Sequence, residues 1–103
     1  MVQIEKKSDK VIVTIDGEMN IFNAQEITNS LKNPDIFSLS TLEIDLSMVS
    51  EIDSSGFQII VALKKQCESE GKGFVIKDKS DAVNTLMELY RVSEYLLPHG
   101  GGN

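Results

Sequence analysis

A switch of hydrophobic period between residues 41 and 77 leaves this chain few folds to choose from. Residues 41–46 (TLEIDL) alternate apolar and polar, with Leu42, Ile44 and Leu46 on one face. Ile59, Ile60, Leu63 and Cys67 then share a helical face, with Phe57 and Val61 beside them. Residues 73–77 (GFVIK) return to the short apolar pattern of a strand, and Gly71 stands where a helix C′ residue belongs. A strand, a helix and a strand in direct succession form a crossover. The two strands then lie parallel in one sheet, with the helix packed on its face.

The flanking segments extend this unit on both sides. Residues 2–6 (VQIEK) alternate as a half-exposed edge strand does, Ser8-Asp9-Lys10 reads as a tight turn, and residues 11–15 (VIVTI) are suited to a buried strand. Asp16-Gly17 is expected to close that strand, completing an opening hairpin. Ile21, Ala24, Ile27 and Leu31 recur at intervals of three and four, which predicts a helix over 21–31 with Asn20 as its N-cap and Asn33-Pro34 as its stop. Ser80 or Asp81 caps a third helix whose apolar face is Ala82, Val83, Leu86, Leu89 and Tyr90. Residues 94–97 are expected to add a short strand or turn, and residues 98–103 a flexible tail. The expectation is a single α/β domain over 1–97 in the order β-β-α-β-α-β-α, its mixed, mostly parallel β-sheet packed by helices.

Composition narrows the function. The 16 acidic against 10 basic residues give a net charge of -6, which disfavours nucleic acid and anionic membranes and favours a basic protein partner. A single cysteine cannot make an internal disulfide, no segment reaches the length of a membrane span, and the N-terminus lacks a signal peptide's apolar run. A cytoplasmic protein without membrane insertion is expected. Neither dinucleotide nor P-loop glycine patterns occur. The one histidine, His99, lies in a glycine-rich end, so neither a zinc site nor a catalytic triad is encoded. Paired carboxylates could do acid–base work, but Asp45 sits in a strand and Asp53 at a cap with no sign of a shared pocket, so neither a catalytic residue nor a cofactor is expected. Cys67 reads as an inert core residue, Met19, Met48 and Met87 as fillers of packing gaps, and Lys64-Lys65 as a solvated face.

The positive signal is Asp53-Ser54-Ser55-Gly56. One reading is a helix start and nothing more: Asp53 accepts hydrogen bonds from orphan amides, and serines tolerate the first turn. The other uses the same physics, because a phosphate on a first-turn serine meets unpaired N–H groups and the positive end of the helix dipole. The strand ending in Asp45-Leu46, the Asp53-Ser54-Ser55-Gly56 tetrapeptide, the apolar run over 57–63 and Gly71-Lys72 before a further strand closely resemble the STAS domain, the fold of anti-sigma factor antagonists. The resemblance covers residues 2–97. It implies that Ser54 is the phosphorylation site and that the partner is an anti-sigma factor that is also a serine kinase. The unphosphorylated form would bind this partner, and the phosphorylated form would release it. The partner surface is expected at the start of the second helix and the loop before the first: Asn20, Asn23, Asp53, Ser54, Ser55 and Gly56. Where many members carry Gly-x-Leu-Asp, this chain has Gly17-Glu18-Met19-Asn20, without the charge. The resemblance also admits a constitutive accessory subunit of a lipid-transport ABC system or of a chemotaxis or two-component module, with no phosphoswitch. A small enzyme or ligand-binding module is the remaining reading and needs an apolar pocket with convergent polar groups.

Overall fold

The computed structural model describes residues 1–90. The elements expected over 94–97 and the tail over 98–103 lie outside the described residues.

Four strands form one sheet in the order β1-β2-β3-β4. β1 (Val2–Lys7) and β2 (Lys10–Met19) make the antiparallel hairpin, and Ser8 takes a positive φ of 58 degrees in its turn. β3 (Thr41–Ile52) runs parallel to β2, and β4 (Gly73–Lys79) runs parallel to β3. Helix α1 (Ala24–Ser30) and a 3-10 turn at Pro34–Phe37 link β2 to β3, and α2 (Ser54–Ser69) links β3 to β4. α3 (Asp81–Tyr90) follows β4, and the Ser80 hydroxyl accepts from the Val83 amide at its start. Each parallel crossover steps one strand in the same direction, so right-handed connections put α1 and α2 on the same face.

That face is the core. Val11, Val13 and Ile15 of β2 are fully buried, and Leu42, Ile44 and Leu46 of β3 lie beside them in register. Ile27 from α1, Ile60, Leu63 and Cys67 from α2, and Val83, Leu86 and Met87 from α3 complete one continuous cluster. The opposite face is mixed: Lys10 donates to Glu43 at 2.9 Å, Ile12 and Val75 flank Glu43 on the neighbouring strands, and Thr14 is paired with Asp45. α2 ends as expected, with Gly71 at a φ of 70 degrees. Its amide donates to the Glu68 carbonyl at 3.2 Å and the Lys72 amide to the Cys67 carbonyl at 2.8 Å, the paired bonds of a Schellman stop.

Several expectations need correction. β2 does not close at Asp16-Gly17 but runs on to Met19, because β3 carries extra residues at two register shifts and stays paired with it to Ile52. The first helix begins at Ala24 rather than Ile21. Asn20 does not cap it, because its side-chain oxygen accepts from the Phe22 and Asn23 amides and holds residues 20–23 in a turn. Ile21 is therefore 65% exposed rather than part of the stripe. Met48 and Leu89 are exposed as well, and Met87 takes the core position on α3 that the spacing assigned to Leu89. Among the described residues, no helix is long and apolar enough to cross a membrane.

Candidate functional site

β2 and β3 end side by side, with Met19 paired to Ile52, and the chain leaves both strands into loops that start α1 and α2. The carboxyl ends of adjacent parallel strands are where loops of an α/β fold converge. Asp53 ties the two loops together. Its backbone is extended, one side-chain oxygen accepts from the Gly56 amide at 3.1 Å, and the other accepts from the Ile21 amide at 3.0 Å. Its own amide donates to the Met19 carbonyl at 3.2 Å. One residue is thus both the N-cap of α2 and the clamp on the loop after β2.

Gly56 explains why that loop sits so close. A Cβ built on Gly56 would stand 2.2 Å from the Met19 carbonyl oxygen, 2.8 Å from the Met19 Cβ and 2.9 Å from the Ile52 Cγ1. Only a glycine lets the first turn of α2 press against the end of β2.

Asn20 is buried, and its amide nitrogen donates to the Glu18 carboxylate at 3.3 Å while its oxygen organises the turn. Asn23 donates from its side chain to the Glu18 carbonyl at 2.9 Å. The structure therefore brings Asn20, Asn23, Asp53 and Gly56 into one hydrogen-bonded corner. Ser54 is exposed at its rim and Ser55 is half-buried behind it. The amide of Gly56 is taken by the Asp53 side chain and that of Phe57 by the Asp53 carbonyl at 2.9 Å. The Ser54 and Ser55 amides, as the first two of the helix, have no intrahelical acceptor and point out of its positive end.

The surroundings are acidic. Glu18 and Glu51 are paired in the sheet beside Asp53, and Lys32 is the only Lys or Arg between Val11 and Leu63. Two residues of this corner escape a reading by spacing alone. Ile21 and Phe22 are 65% and 88% exposed, an apolar pair held outward by the turn. Phe22, off the three-and-four spacing of its neighbours, was the available signal. Two groups away from this corner, Cys67 and Asp45, are shifted by their surroundings. Burial, with Glu70 and Glu68 nearby, pushes the Cys67 thiol up to about 11. The Ser47 amide at 3.0 Å from Asp45, then the Ser47 hydroxyl and the charge of Lys77, hold the Asp45 carboxyl below the usual carboxylate range. Among the described residues no group of three or more His, Cys, Asp or Glu gathers to hold a metal ion.

Residues 1–99 match the STAS domain family. The chain is 25% identical over 92 residues to the anti-sigma-B factor antagonist of Listeria monocytogenes, covering 89% of this chain and 81% of that protein. Among solved structures it is similar to an anti-sigma factor antagonist from Mycobacterium paratuberculosis, with a TM-score of 0.79 at 21% identity, covering 92% of this chain and 80% of that one. It is also similar to the Bacillus cell fate determinant SpoIIAA in its phosphorylated form, with a TM-score of 0.67 at 17% identity, covering 90% and 86%. In the longer chain of Mglu the likeness spans 20% of that protein, at a TM-score of 0.65.

Proposed function

We propose that this chain, which belongs to the STAS domain family, works as an anti-sigma factor antagonist-like switch whose state is set by phosphorylation of Ser54. Its partner is an anti-sigma factor that is also a serine kinase. The observation that carries this reading is the exposed Ser54 hydroxyl in the first turn of α2, beside a loop that Asp53 and Asn20 hold in place. The antagonists among its relatives support the same reading.

In the unmodified state the partner lies across the start of α2 and the turn over 20–23. Asn20, Asn23, Asp53 and Gly56 shape that surface, and Ser54 and Ser55 present their hydroxyls from it. In the transfer step, the Ser54 Oγ attacks the γ-phosphorus of ATP bound to the partner, its proton leaves with a base of the kinase, and ADP departs. The new group adds about -1.5 to -2 charge. The first-turn amides and the helix dipole accommodate it, so the fold persists. Its own chain offers no Lys or Arg over 33–63 to neutralise it, and Glu18, Glu51 and Asp53 already make the corner acidic. The added charge therefore acts on the partner surface, through repulsion and lost contacts, and release follows.

The test is co-purification from the host with Ser54→Ala and Ser54→Glu variants, followed by addition of ATP. The Ala variant should retain a kinase partner that ATP does not release, and the Glu variant should fail to retain it. Equal retention by both variants would refute the switch and favour a constitutive docking subunit instead.

A further inference from the structure

Residues 20–23 close a β-turn in which the Asn20 carbonyl accepts from the Asn23 amide at 3.0 Å. The Asn20 side-chain oxygen accepts from the Phe22 and Asn23 amides at 3.0 and 3.2 Å, and the Ile21 amide donates to Asp53 across the corner. Every amide over 21–23 therefore has an acceptor, and the Asn23 side chain adds a bond to the Glu18 carbonyl. The backbone is held from both loops, yet the two side chains at its tip are free. Ile21 is largely exposed and Phe22 is 88% exposed. Turn positions ordinarily carry Gly, Pro, Asn, Asp or Ser. A ring this exposed buries almost no surface in its own chain and adds little to the fold. A fixed turn that presents two apolar side chains is pre-organised for burial against another surface.

The same corner lacks counter-ions. Glu18 and Glu51 are cross-strand neighbours, an arrangement of like charges that costs stability. Among the described residues no Lys or Arg pairs with either. We infer that Phe22, with Ile21 beside it, is the anchor of the partner interface. It enters an apolar pocket on a protein that sets Lys or Arg against Glu18 and Glu51. This rests on the reading of the corner as a partner surface, but not on modification of Ser54.

Charge selects this occupant. Anionic lipid repels a chain with a net charge of -6 that carries carboxylates beside the turn. A second copy meeting this corner symmetrically would bring Glu18 and Glu51 of both chains together, without a cation between them. A basic rim around an apolar pocket relieves the repulsion and buries the ring.

The test uses the full chain and the protein it retains from its host, identified and purified so that affinity and association rate are measured directly. Phe22→Ala should weaken binding by about thirtyfold or more, the loss expected of an aromatic hot spot. Ile21→Ala should weaken it less, Phe22→Tyr should keep most of the affinity, and the Tm of Phe22→Ala should match that of the wild type. Glu51→Gln should slow association at low salt and change it little at high salt. The affinity comparison decides this inference whether or not the retained protein is a kinase, so the switch can fail while the anchor stands. Equal affinity of Phe22→Ala and wild type overturns the anchor and leaves the partner surface in place. Retention of no protein overturns both. Binding to phosphatidylcholine vesicles, or self-association, that Phe22→Ala abolishes while partner affinity is unchanged assigns the pair to a lipid surface or a second copy, and also overturns it.

Discussion

Replacing Gly56 with alanine tests the geometry that holds the candidate site together. The added Cβ would fall 2.2 Å from the Met19 carbonyl oxygen, with the Met19 Cβ and Ile52 Cγ1 both inside 3 Å. The nearest of these atoms is backbone, so no rotamer change relieves the overlap, and the first turn of α2 must move away from β2. Overpacking of this kind costs about 1–3 kcal/mol. Moving the turn also strains the bonds from the Asp53 amide to Met19 and from the Ile21 amide to Asp53. Alanine regains up to about 1 kcal/mol of helix propensity. The net loss expected is about 2–3 kcal/mol, or about 10–20 °C in Tm for a domain of this size. Gly71→Ala is the control. Its φ of 70 degrees is strained for alanine, but nothing lies within 4 Å of the new methyl group, and the expected cost is about 1 kcal/mol. Urea denaturation followed by circular dichroism measures both. If Gly56→Ala costs no more than Gly71→Ala, the close approach of α2 to Met19 is wrong.

Three further outcomes follow from the same structure. Asp53→Ala removes the cap and the acceptor of the Ile21 amide and should cost about 2 kcal/mol in denaturant melts, whereas Asp53→Asn, which keeps one of the two acceptor oxygens and turns a donor toward the other amide, should cost about 1 kcal/mol. The Asp45 carboxyl is depressed in the folded state, so its contribution to stability is complete above the ordinary carboxylate value of about 3.9 and fades as pH falls through the lower folded value. Asp45→Asn should therefore flatten the acid limb of stability measured below about pH 4. The raised Cys67 thiol keeps its proton in the folded chain, so stability should fall as pH rises from about 9 toward 11. A thiol reagent at neutral pH should label Cys67 only at the rate at which urea unfolds the protein.

The order of elements was legible because burial writes period directly: Val11, Val13 and Ile15, or Ile60, Leu63 and Cys67, face one core and repeat accordingly. The tetrapeptide at 53–56 was legible as a helix start for the same local reason. What spacing concealed is tertiary. Ile21 fits the stripe of α1 at three residues from Ala24, yet the bond from its amide to Asp53, thirty-two residues on, holds it outside the helix. Asn20 looks like a cap and is one, but for a turn. The extension of β2 past Gly17 depends on β3 carrying extra residues at its register shifts, and no local pattern announces a bulge on a partner strand. The contact between Gly56 and the Met19 carbonyl is likewise a meeting of distant segments. A glycine in a first helical turn hints that something comes close without saying what.

The claim that Ser54 is the controlling residue is tested most directly by phosphopeptide mass spectrometry of the protein purified from its own host in growth and under stress, wild type beside Ser54→Ala. The account predicts a phosphoryl group on the Ser54 peptide of the wild type that is missing from the variant. A Ser54 peptide that stays unmodified in every condition, or a phosphoryl group that persists elsewhere in the Ala variant, contradicts it.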